Sequence, residues 1–300
     1  MRSRALAVLL SAVFIAASAS AGGAQVPNTD VYLAPLTRDG TSLVVGPAVN
    51  VTNRAGYDNQ PSFLPDSRAI LYTMIDSSGQ ADIWRYDIAS RRTSRVTATP
   101  ESEYSATVMP SGTRFSVIRV ERDSAQRLWS FALDGSDPQI VLATLKPVGY
   151  HAWLDSTRLI AYVLGTPSML HFVSRDGSSD EIRAREIGRA VHRVPMRDAY
   201  SYTQRDSAKA LWIMSQAIAG GPAERIIAAA PDNEFHVWTP NGELLTASRG
   251  ILQRWNGQRG DQSTWIPLTD LTTNGVKNVS RLAVSPDGRW LAFVAEPTGR

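Results

Sequence analysis

The sequence predicts an all-β protein, a six-bladed β-propeller of four-stranded blades. Strands near the N-terminus are expected to complete the C-terminal blade. Three observations predict this. One hairpin pattern recurs six times, with spacings of 45, 45, 41, 44 and 46 residues between Phe63, Val108, Trp153, Val194, Trp238 and Val284. A period of this size is that of a propeller blade. Each of the first five hairpins is followed by two further strand-like segments. The sixth ends the chain without them, and two matching segments lie near the start.

Taken in order, residues 1–24 read as an export signal, with Arg2 and Arg4 ahead of an apolar run from Ala5 to Ala17 and small residues after it. That run is too short to span a bilayer comfortably, and no second one follows, so no membrane span is expected in the mature chain. Residues 25–300 read as one propeller domain. "DVYLAPL" (30–36) matches the third strand of a blade and "VVGPAVNVT" (44–52) the fourth.

The hairpins are "PSFLPDSRAILYTM" (61–74), "ATVMPSGTRFSVIR" (106–119), "HAWLDSTRLIAYVL" (151–164), "HRVPMRDAYSYTQ" (192–204), "HVWTPNGELLTAS" (236–248) and "LAVSPDGRWLAFV" (282–294). Proline after the first strand withholds a donor where the ladder ends, and Asp-Gly, Ser-Gly or Asn-Gly supplies the reversal. The fourth copy lacks the glycine. Third strands follow at "DIWRYDI" (82–88), "RLWSFAL" (127–133), "SMLHFVS" (168–174), "ALWIMSQ" (210–216) and "ILQRWNG" (251–257). Their recurring Trp84, Trp129 and Trp212 are expected in the core between blades. Fourth strands are "SRVTAT" (94–99), "PQIVLAT" (138–144), "DEIRARE" (180–186), "ERIIAA" (224–229) and "STWIPLTDL" (263–271). The closing hairpin should therefore pair with residues 30–52, leaving no open edge at the seam.

The strand, Ser-Pro-Asp-Gly turn, apolar strand and Asp-Ile-Trp-like third strand resemble the WD-like propeller repeat of the TolB family, over roughly residues 30–294. The resemblance implies the fold and, since TolB works in a periplasmic envelope complex, a binding role in the cell envelope. TolB carries an α/β domain ahead of its propeller, and no such domain stands between residue 24 and Asp30. Similar blades occur in prolyl oligopeptidase-like peptidases, but no Gly-x-Ser-x-Gly nucleophile turn is present. Oligogalacturonate lyases also resemble this fold and hold a metal through propeller histidines.

Composition narrows the partners. Without Arg2 and Arg4, 29 Lys+Arg face 28 Asp+Glu, a net of +1, and no basic run argues for nucleic acid. The absence of cysteine excludes disulfides, thiolate metal sites and lipid attachment. Ligands of propellers sit at the channel mouth, where the innermost strands begin. Three of the four histidines, His151, His192 and His236, occupy one repeat position in three consecutive blades, with Tyr150, Arg189, Glu234 and Arg281 beside them and Asp58 and Glu103 at neighbouring positions. Three readings follow. The histidines pack between blades, on the strand face of Trp153, Val194 and Trp238. Or they join Arg281 and Arg189 in a mouth that meets a carboxylate or phosphate-like group. Or the three imidazoles hold a divalent metal, zinc or manganese.

The function classes divide accordingly. One is a periplasmic or secreted, non-catalytic binding module for a peptide, protein or saccharide, with no cofactor. The alternative is a metal-dependent enzyme such as an acidic-sugar lyase, in which Tyr150 or a free histidine acts as base. No Ser/His/Asp triad or phosphate loop is legible.

Overall fold

The computed structural model describes residues 27–299 except 41, 256 and 258–263. The proposed export segment, residues 1–24, lies outside the described residues. Strands β1 (Asp30–Asp39), β2 (Ser42–Val45) and β3 (Val49–Asn50) precede the first complete blade. Blade 1 is β4 (Tyr57–Phe63), β5 (Ala69–Ile75), β6 (Ala81–Asp87) and β7 (Arg92–Arg95). Blade 2 is β8 (Ser102–Val108), β9 (Arg114–Val120), β10 (Gln126–Ala132) and β11 (Gln139–Leu142). Blade 3 is β12 (Val148–Trp153), β13 (Arg158–Val163), β14 (Met169–Ser174) and β15 (Asp180–Arg185). Blade 4 is β16 (Ile187–Arg193), β17 (Ala199–Arg205), β18 (Leu211–Ala217) and β19 (Glu224–Ala228). Blade 5 is β20 (Val237–Trp238), β21 (Leu244–Ser248), β22 (Ile251–Trp255) and β23 (Trp265–Asp270). A 3₁₀ turn, Leu271–Asn274, then leads to β24 (Val276–Lys277), β25 (Leu282–Val284) and β26 (Trp290–Pro297).

Blade 6 is built from both ends of the chain. β25 pairs with β26, β26 with β1, and β1 with β2, all antiparallel, so the ring closes through a ladder from Asp30↔Ala295 to Pro35↔Trp290. The fourth strand of this blade is 42–45 rather than 44–52. Gly46 and Pro47 end it, and the chain folds back so that Val49 and Asn50 pair with Leu33 and Tyr32 on the other part of β1. In blade 4, whose turn has no glycine, Met196 takes φ 59° at an exposed tip, one residue before the position that Gly288 holds in blade 6.

The core lies between blades. Six clusters of buried apolar side chains fill the six blade–blade interfaces, for example Phe115, Phe131 and Ile83 between blades 1 and 2, and Tyr32, Phe293 and Leu252 between blades 5 and 6. A strand covered on both faces needs no polar alternation, which is why β5 (AILYTMI) reads as a continuous apolar run. The third-strand tryptophans sit at the edge of this core: Trp84 and Trp129 pack against interface clusters as expected, Trp212 belongs to none of them, and all three are half-buried. The indole N–H of Trp129 donates to Glu121, and that of Trp212 to Asp206, at 2.9 and 3.0 Å. Arg119 and Arg225 cover their rings. A polar indole edge is satisfied more cheaply at the interface rim than in its centre.

Candidate functional site

The innermost strands do not run straight to the channel. Their registers shift between Asn59 and Ser62, Tyr104 and Thr107, Val148 and Tyr150, and Ile187 and Val191, in blades 1 to 4. A bulge inserts a residue and re-aims the side chains around it. Two of the inserted residues, Gln60 and Ser105, adopt left-handed backbone, φ 57° and 56°. In blade 5 the innermost strand shortens to two residues. There Thr246 and Asn233 side chains bond the Phe235, Ala247 and Ser280 carbonyls in place of a ladder.

These irregularities gather a cluster from five blades. Arg281 of blade 6 donates to Asn59 Oδ1 of blade 1 at 3.0 Å and to Tyr150 Oη of blade 3 at 2.6 Å. Blades 3 and 6 face each other across a six-membered ring, so this side chain crosses the channel. Its guanidinium also lies 4.3 Å from the ring centre of Phe235 in blade 5. Arg189 of blade 4 stands 5.1 Å from the same ring and pairs with Glu234 at 2.5 Å. The Glu234 carboxylate also accepts the Arg189 backbone N–H, at 3.0 Å. Gly188 makes room for it, because a Cβ there would stand only 2.5 Å from Glu234 Oε2. Burial pushes the Tyr57 hydroxyl up to about 12 against the field of Arg281, so Tyr57 stays neutral beside the cluster.

Tyr150, Arg189, Glu234 and Arg281 therefore come together, and the histidines are placed differently. His151 Nε2 is 2.6 Å from Ser116 Oγ of the preceding blade, and Trp153 Nε1 donates to the same oxygen at 2.9 Å. The arrangement repeats two blades on, with His236 and Trp238 both on Ser201, at 3.3 and 2.8 Å. His192 meets His236 edge to face, with ring centres 4.9 Å apart. Burial lowers His151 to about 3 and His192 to about 4, and holds His236 well below its ordinary value, so all three are neutral near pH 7. Among the described residues, no group of three His, Asp or Glu side chains is placed to hold a metal ion.

Asp58 and Glu103 are fully buried, outside the mouth cluster. Asp58 pairs with Arg54 at 3.0 Å, and Glu103 with Arg119 at 3.2 Å. Phe235 is the residue that sequence reading passed over. It shares the repeat position of Tyr150 and Arg281, three before the anchor, whereas the histidines sit two before it. Along a strand one residue changes the face, and that offset separates the channel-facing ring from the blade-packing one.

No family model matches this chain. Solved structures do. A candidate TolB from Agrobacterium tumefaciens superposes with a TM-score of 0.68 at 15% identity, covering 89% of this chain and 98% of that one. A gluconolactonase from Xanthomonas campestris gives a TM-score of 0.61 at 10% identity, over 92% and 99%. An oligogalacturonate lyase in complex with manganese gives 0.53 at 14%, over 83% and 80%. At such identities the likeness is one of fold, and that fold serves both binding proteins and enzymes.

Proposed function

We propose that this chain is an exported, non-catalytic binding module that takes a peptide, protein or saccharide at the mouth of its propeller channel. The observation that carries the reading is Arg281, laid across the channel between Asn59 and Tyr150 and stacked on Phe235. Aromatic rings and arginines grouped at one place are the usual anchors of a binding surface. The likeness to a candidate TolB agrees with such a role.

Other groups of a kind used in catalysis are sealed away from the mouth. Ser116 and Ser201 contact imidazoles as a nucleophile would, yet both are fully buried and each already accepts a tryptophan N–H. Asp58 and Glu103, the carboxyls whose burial raises them to about 6 and about 7, are equally sealed. An acid or base must reach its proton within hydrogen-bond distance. Among the described residues, no helix is long and apolar enough to cross a membrane.

Thermal-shift screening against panels of short peptides and oligosaccharides tests the reading. A ligand of the native state should raise the melting temperature of the wild-type protein, and the rise should vanish in Phe235→Ala. Ligands that stabilise Phe235→Ala as well as wild type would move binding away from the mouth. Fractionation of cells expressing the chain with and without residues 1–24 tests export, with retention of the shorter chain in the cytoplasm expected.

A further inference from the structure

We infer that the ligand at this mouth carries a single carboxylate and that Arg281 receives it. The inference rests on the mouth being a binding site. It starts from a charge that has no counterpart. Among the described residues, every other arginine that is at least partly buried has a carboxylate oxygen within 4.0 Å, as in Arg54 with Asp58, Arg119 with Glu101 and Glu103, and Arg189 with Glu234. Arg281 is half-buried and its bonded partners are neutral, the Asn59 amide and the Tyr150 hydroxyl, with the rings of Phe235 and Tyr150 at 4.3 and 5.4 Å. Withdrawing a guanidinium from water without a counter-charge is costly, and folded proteins seldom keep such a group without use for it.

The donors left over have a definite shape. A guanidinium has five N–H groups, and Asn59 and Tyr150 take one each. Tyr150 Oη accepts from Arg281, so its own proton is free for a further acceptor. A carboxylate laid against Arg281 would take paired N–H donors from the fork and this O–H from the side. Both neutral partners fix the fork in place before the ligand arrives, which reduces the entropy lost on binding.

The charge count selects one negative charge. The second guanidinium at the mouth, Arg189, is already matched by Glu234 at 2.5 Å. The neighbouring imidazoles are bonded into the blade interfaces. One net positive charge remains, which a carboxylate neutralises and a phosphate dianion would exceed. The carboxylate could belong to the chain end of a peptide or to an acidic sugar.

Calorimetric titration at pH 7.5 decides the matter with matched probes. These are N-acetyl-Gly-Gly-Leu as free acid and as C-terminal amide, galacturonate and its methyl ester, and inorganic phosphate. At least one acid should bind with a Kd below about 1 mM and at least about tenfold more tightly than its neutral partner. The pair that responds identifies the source. Phosphate should bind more weakly than that acid. Arg281→Gln should lose the discrimination, and Arg281→Lys should recover part of it, since lysine keeps the charge without the fork. Circular dichroism melts of both variants check that the fold is retained, as expected for a side chain with no ion pair to lose.

Neutral probes binding as well as acids, Arg281→Gln binding acids like wild type, phosphate binding tightest, or no acid binding at about 10 mM would each overturn the inference. A neutral probe whose binding is lost in Phe235→Ala would leave the mouth reading standing while rejecting the carboxylate. Binding indifferent to both variants would reject the two together.

Discussion

Glu103 shows how far burial governs single residues here. Its carboxyl is fully buried, with Arg119 at 3.2 Å and the Thr99 hydroxyl bonded to it, yet desolvation outweighs both and raises it to about 7. A raised carboxyl is protonated in the folded state where the unfolded chain has already lost its proton. Stability from this group is therefore present below its unfolded value, near 4.5, and falls as pH rises towards 7. Glu103→Gln keeps the shape and removes the titration. Compared with wild type in urea melts, it should gain on the order of 2–3 kcal/mol between pH 4.5 and pH 8, with Arg119 still held by Glu101. A constant difference across that range would mean that Glu103 is ionised throughout. The histidines carry the opposite sign. With folded values of about 3 and about 4 for His151 and His192, their contribution is whole above 6.5 and lost as pH falls below it. Single positions were also where sequence reading was weakest. Tyr150 and Arg281 are recognisable from repeat alignment alone. That Phe235 joins them while His151 turns away to Ser116 rests on a one-residue offset along the innermost strand, which changes the face a side chain takes.

At the scale of elements, the Ser–His–Trp contact works as a clamp between a second strand and the first strand of the next blade. Ser116, His151 and Trp153 are reproduced 85 residues on by Ser201, His236 and Trp238. One serine oxygen serves two ring nitrogens, so its loss leaves both without that partner in the interface. Ser116→Ala should cost about 1–3 kcal/mol of stability, because an unmet buried donor loses its hydration without recompense. Adding Trp153→Phe should then cost less than it does alone, since the indole donor is no longer required. A strictly additive double-mutant cycle would show that the indole and hydroxyl are not coupled. Elements were legible in the sequence where local chemistry decides them. The Ser-Pro-Asp-Gly turn closes as read, with Gly288 at φ 71° and Ser285 bonded to Trp290. Residues 44–52 were misjudged because pairing onto β1, a tertiary preference, overrides their apolar pattern.

At the scale of the whole molecule, what was legible is the closure, and the reason is arithmetic: a hairpin without outer strands at one end of the chain and outer strands without a hairpin at the other. The ladder between β1 and β26 satisfies both. Its consequence extends to the site, because Arg281 enters the mouth just ahead of β25 in the blade that this ladder completes. Asn59 lies in blade 1, against which Thr29 and Asn28 bond the backbone at Gly56 and Asp58. The antiparallel register sets Asp30 beside Ala295, so the described chain ends are neighbours. A circular permutant that joins them through a short glycine-serine linker, with new ends in the exposed loop at 122–124, should fold, melt cooperatively and keep the ligand response of the mouth. A chain that starts at residue 42 lacks β1, which exposes the flank of β26 and uncovers Leu291 and Phe293. It should lose its cooperative transition in calorimetry and associate through the open edge. A truncated chain that remained monomeric with an unchanged melting curve would mean that the ring holds without its seam.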